Sequence, residues 1–166
     1  MHHIRKKSDN EPGKLVSVDQ IVSAQPGLIP QMGGFVSNLC LMGATIFIDH
    51  YSDHVYCYLM RNLTFEETLL AKDAYERFLK SNGVSAQAYH AGNGRFVDKG
   101  FRDDCISSNQ TITFCVVRGH HQNGIAKRKI EDLTLGGCTL LLRAKRMLTE
   151  YVTTILWPFA MKCYED

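Results

Sequence analysis

The chain has 166 residues, 45% hydrophobic and 22% charged, which fits one ordinary globular domain and excludes a disordered or fibrous chain. Nineteen Lys and Arg against seventeen Asp and Glu leave a formal charge of +2, too small for nucleic-acid binding to be read from net charge alone. Six scattered cysteines without a C-x-x-C pair read as free thiols in a reducing compartment, and no apolar run approaches the roughly 20 residues of a membrane span. The expectation is a nuclear or cytoplasmic protein, neither secreted nor membrane-bound.

Residues 1–13 are polar and end in Asn10-Glu11-Pro12-Gly13, a lead-in closed by a turn, so the domain spans 14–166. Leu15 to Val22 is short and β-branched and reads as a strand carrying Asp19; Gln25-Pro26-Gly27 and Gly33-Gly34 mark a loop after it. Met42–Asp49 and Val55–Met60 form two strands joined by the polar connection 50–54, which makes the start of the sheet antiparallel. Thr64-Phe65-Glu66-Glu67 matches a capping box, and apolar residues then follow helical spacing until Asn82-Gly83.

Ser85–Ala91 reads as a fourth strand, Asp98–Ser108 as a helix and Thr111–Val117 as a fifth strand. Asn123–Arg146 has helical spacing weakened by Gly136-Gly137, each costing about 1 kcal/mol against alanine. Thr149–Tyr164 predicts a last helix interrupted at Trp157-Pro158. Three hairpin strands followed by alternating helix and strand describe an α/β domain with a mixed five-stranded sheet. That pattern alone assigns no function. The basic runs 2–7, 127–129 and 143–146 read first as solvated faces.

Four stretches occur in order: Val16-Ser17-Val18-Asp19-Gln20, Thr45 to Ser52, Tyr89-His90-Ala91-Gly92-Asn93-Gly94, and His121-Gln122-Asn123-Gly124-Ile125-Ala126-Lys127. Together they resemble the catalytic core of a retrotransposon integrase of the copia type, within the RNase H-like superfamily. The resemblance runs from about residue 14 onward. It implies an RNase H-like sheet flanked by helices and a polynucleotidyl transferase that processes and joins DNA ends. Two aspartates and a glutamate would hold Mg²⁺ or Mn²⁺, because two hard cations clamping a phosphodiester require converging oxygen ligands.

The first family aspartate falls on Asp19. The second belongs in an Asp-Asn-Gly turn, where this chain has Gly92-Asn93-Gly94, and the third in Asn-Gly-x-Ala-Glu, where it has Asn123-Gly124-Ile125-Ala126-Lys127. Thirty-four residues lie between Gly92 and Lys127, close to the family's interval, so the frame survives while two of three acids are replaced. Asp19 alone remains as a metal ligand, and a degenerate, inactive copy is the expectation. Any retained DNA contact would use Asn93, His121, Asn123, Lys127, Arg128 and Lys129, with self-association as a further expected property.

Two other readings stay open. One is a non-catalytic DNA-binding or scaffold protein on the same fold; the other is an active transferase with ligands relocated to Asp49 or Glu131. Glu131 lies four residues past Lys127, about 6 Å along a helix, more than the spacing of the two metals. His50 and His54 are read as turn histidines rather than zinc ligands. Cys115, whose nearest histidine in sequence is His120, reads as a core thiol.

Overall fold

The computed structural model describes residues 11–29, 39–92, 95–115, 123–148 and 152–165. The basic run 2–7, Gly33-Gly34, Asn93, Gly94, Val116, Val117, His120 and His121 lie outside them. Five strands form one sheet in the order β3-β2-β1-β4-β5, with β1 Val16–Leu28, β2 Cys40–Asp49, β3 Val55–Met60, β4 Ala88–Ala91 and β5 Thr111–Phe114. β1 to β3 pair antiparallel, whereas β4 lies parallel to β1 and β5 parallel to β4. The expected mixed sheet of three antiparallel strands followed by alternating helix and strand is therefore the observed one.

Helices α1 Phe65–Ser81 and α2 Lys99–Ser107 cover one face, α3 Gly124–Met147 and α4 Trp157–Glu165 the other. Strand alternation divides the core accordingly. Val16, Val18, Phe47 and Tyr89 meet Tyr75 and Phe101 on the first face; Ala44, Ile46 and Ile48 meet Leu133 and Met161 on the second. Phe47 is fully buried and stacks on Tyr75 with ring centroids 4.5 Å apart, so the first face holds an aromatic centre.

Several local expectations change. Gln25-Pro26-Gly27 does not end β1: the strand passes through an irregularity between Val22 and Gly27 and pairs again with Leu41 and Cys40. Gly27 is needed there, because a Cβ would come within 2.4 Å of the Pro158 ring and 2.7 Å of Trp157 Nε1. Trp157-Pro158 starts a helix instead of interrupting one, since proline in the first turn gives up an amide that lacks a partner anyway. Gly136-Gly137 leaves α3 unbroken over 24 residues. A Cβ at Gly136 would stand 2.4 Å from the Tyr164 ring, so the bare backbone is what lets α4 pack closely.

The capping box forms by halves. Thr64 Oγ1 accepts from the Glu67 amide at 3.4 Å, but the Glu67 carboxylate accepts from the Arg61 and Asn62 amides at 2.7 and 2.6 Å. The three residues 85–87 expected in the fourth strand precede β4.

Candidate functional site

Parallel pairing of β1 with β4 aligns Val18 with Ala91, so the next residues along each strand, Asp19 and Gly92, come side by side where that pairing ends. Gly92 follows the carboxyl end of β4, the end at which open α/β sheets form their ligand crevices, and Asp19 lies on β1 beside it. A Cβ built on Gly92 would stand 3.3 Å from Asp19 Oδ1 and 3.7 Å from its carboxyl carbon. The second position of the quoted pattern is thus in contact range of the first.

Asn123 brings the third position in. Its side chain is 2% exposed, and Nδ2 donates to the Val18 carbonyl at 3.3 Å and to Asp19 Oδ2 at 3.2 Å. This pins the start of α3 over β1. Asn123 therefore ties helix to sheet through its side-chain amide nitrogen. Lys127, one turn further on, acts electrostatically on Asp19 and on Cys115.

Burial pushes the Asp19 carboxyl above its ordinary range, against the opposing effects of the Gln20 amide, the Lys127 charge and the Asn123 amide. The Gln20 amide donates to Asp19 Oδ1 at 2.9 Å. Asp19 is thus half-buried, held by hydrogen bonds on both oxygens, and faced by a cation.

Arg128 is exposed, whereas Lys129 sits about 200° around the helix from Lys127 and lines a separate polar crevice with Asp132 and Glu165. The basic run is therefore split between two surfaces. The N-terminus of α3 has no side-chain cap and no acidic residue in its first turn. By contrast α1 has Thr64 with Glu66 and Glu67, and α2 has Asp98 accepting from the Gly100 amide at 2.9 Å.

The relocated-ligand reading meets a geometric obstacle. Asp49 pairs with Val16, and Asp19 with Ile46, so the two carboxylates point to opposite faces of the sheet and stand about 10 Å apart along it. Asp49 is engaged elsewhere: it accepts from the Gly13 amide, the Ser52 amide and the Ser52 hydroxyl at 2.8, 2.8 and 2.6 Å. Glu131 is exposed.

A histidine contact unreadable from sequence spacing adjoins the site. Cys115 Sγ lies 3.5 Å from His90 Nε2, while His90 Nδ1 lies 2.9 Å from Thr113 Oγ1. Only the parallel register of β4 and β5 brings these residues together. Burial pushes the Cys115 thiol up, Asp19 adds to this and Lys127 opposes it, so Cys115 stands as a protonated thiol. His50 bonds Ser17 Oγ at 2.8 Å and His54 stacks on Phe78, so that pair diverges.

The donor set does not suit the two dications of a transferase. Among the described residues no three His, Cys, Asp or Glu side chains converge as metal ligands. One carboxyl that burial disfavours as an anion, beside an ammonium, is a poor cradle for hard cations.

No protein-family model and no curated protein matches the chain. Solved structures do. A chain of the simian T-cell lymphotropic virus intasome in complex with PP2A regulatory subunit B56 gamma superposes with TM-score 0.63 at 14% identity, over 90% of this chain and 47% of that one. This protein thus spans about half the length of that relative.

The HTLV-2 integrase catalytic core domain in complex with magnesium, in its trimeric form, gives 0.60 at 14% identity over 93% and 83% of the two chains. The catalytic core domain of BIV integrase gives 0.57 at 15% over 90% and 81%. At such identity the likeness carries the fold: this chain has the RNase H-like architecture of integrase catalytic cores.

Proposed function

We propose that this chain is a non-catalytic descendant of a copia-type retrotransposon integrase core, whose metal corner now binds nucleic-acid phosphate without metal. The four ordered sequence stretches support the lineage, and the likeness to integrase cores supports a DNA-integration ancestry. The observation that carries the loss of chemistry is the junction itself. Gly92 offers no donor beside Asp19, and Lys127 offers a cation where a third acid would complete the ligand set. Mg²⁺ or Mn²⁺, which the family resemblance implies, would meet one carboxylate and one repelling ammonium there.

The same residues suit an anion. Lys127 closes the first turn and Arg128 opens the second of a helix whose dipole makes cations unfavourable there, and no side chain caps its amides. A phosphate at that end would accept from those amides and neutralise the cations. DNA is the expected partner, with Lys127 and Arg128 contributing sequence-independent backbone contacts. Asn93 and His121 are assigned to the same surface by resemblance alone.

The test is affinity for duplex and single-stranded DNA across salt concentration, with and without a chelator. Binding that survives chelation and weakens with salt, with a slope reduced by about one in Lys127→Glu, is the expected result. Binding that requires Mg²⁺, or that ignores salt, would overturn the proposal.

A further inference from the structure

The C-terminal half of α3 is apolar on more than the side it buries. Leu133 packs toward the sheet and Gly136 and Gly137 toward α4. On the opposite side Leu135 is 70% exposed and Leu142 65% exposed, with exposed Cys138 between them. At about 100° per residue, positions 131, 135, 138, 142 and 146 fall within about 50° of one line along the helix. From the N-terminal end that line reads Glu131, Leu135, Cys138, Leu142, Arg146. Asp132 flanks its acidic end; Arg143 and Lys145 flank its basic end. A solvent-facing helix side ordinarily carries polar residues where these leucines stand.

We propose that this stripe is the interface of a homodimer in which α3 packs antiparallel on α3 of a second copy. The order of its side chains selects both the occupant and the orientation. Leu135 and Leu142 are equally distant from a point between residues 138 and 139, and so are Glu131 and Arg146. A two-fold axis through that point sets Leu135 against the partner's Leu142 and the acidic end of each helix against the basic end of the other. Self-complementarity of this kind is what an isologous contact requires. A parallel pair would oppose like charges at both ends.

The same axis places the two Cys138 thiols about 1.5 Å apart along the helix direction, facing one another. The interface lies on the outward side of α3, away from the Asp19 junction, so it stands or falls separately from the reading of that site.

Sedimentation velocity across micromolar concentrations tests the proposal, with far-UV circular dichroism confirming the helix content of each variant. Expected are a wild-type dimer and at least a tenfold weaker one in Leu135→Glu/Leu142→Glu. Inverting the acidic end (Glu131→Lys/Asp132→Lys) or the basic end (Arg143→Glu/Lys145→Glu/Arg146→Glu) alone should weaken it likewise. Combining both inversions should restore it, because complementarity is then regained. Mild oxidation should give a covalent dimer that Cys138→Ser abolishes and Cys163→Ser leaves intact. A monomer at every concentration, a dimer indifferent to the charge inversions, or a crosslink that runs through Cys163 would overturn it.

Discussion

The Asn123 side-chain amide stands 3.2 Å from Asp19 Oδ2 and 3.3 Å from the Val18 carbonyl, so a single buried residue fastens the start of α3 to the strand that carries the remaining acid. Its Oδ1 is buried without a hydrogen-bond partner among the described residues, which sets a cost against those two bonds. Asn123→Ala should therefore destabilise the fold by about 1–2 kcal/mol, less than a fully satisfied buried amide would. Urea denaturation would show this as a lower midpoint at unchanged slope.

Asp19 should make stability fall as pH rises. Burial holds its folded pKa above the ordinary 3.8, so the folded state binds the proton more tightly than the unfolded one. That contribution is fully present below 3.8 and is lost as pH rises through the folded value. Asp19→Asn never ionises and keeps one acceptor oxygen, for Asn123, while giving up the bond from the Gln20 amide. Its melting temperature should exceed that of the wild type at pH 7, and the gap should close in acid; a variant less stable at neutral pH would contradict this.

On the other face the sign reverses. Lys72, 3% exposed at its side chain, bridges Glu76 at 2.8 Å and Asp104 at 2.7 Å, tying α1 to α2. Burial pushes the Glu76 carboxyl up, but hydrogen bonds from Lys72, Gln110 and Tyr89 outweigh it and hold the group below its ordinary 4.5. Stability from Glu76 is present above 4.5 and lost as pH falls through the folded value. Lys72→Met leaves partly buried acids unpaired and should cost about 2–3 kcal/mol at pH 7, shrinking in acid, as thermal melts at the two pH values would reveal.

Gly43 is a sharper steric case than the α3 glycines. A Cβ there would meet the Ile21 carbonyl oxygen of the paired strand at 2.2 Å, and backbone cannot swing aside as a tyrosine ring can. Gly43→Ala should cost roughly 2 kcal/mol or more through strand displacement. Gly136→Ala meets only the half-exposed Tyr164 ring and gains helix propensity, so chemical denaturation should find it much milder.

What was legible in the sequence followed local rules. Apolar runs on either side of the polar connection 50–54 located β2 and β3, and Thr64 marked the start of α1 because its hydroxyl acts within one turn. Long-range pairing was not legible. Asp49 reads as a neighbour of Asp19 until the register sets it opposite Val16, and His90 meets Cys115 only through β4–β5 pairing. The inward hydrogen bonds of Asn123 were not legible either, because they depend on where β1 lies. Pro158 misled for a related reason: proline stops a helix or begins one according to which side of it the helix lies.

The replaced acids are tested most directly by Mg²⁺- or Mn²⁺-dependent nicking and strand transfer on the wild type and on Gly92→Asp/Lys127→Glu. The Cβ position 3.3 Å from Asp19 Oδ1 puts the introduced carboxylate beside the retained one after a small shift. Wild-type protein without metal-dependent turnover, and turnover appearing only in the double variant, is the predicted result. Turnover by the wild type that Glu131→Gln abolishes would contradict the account.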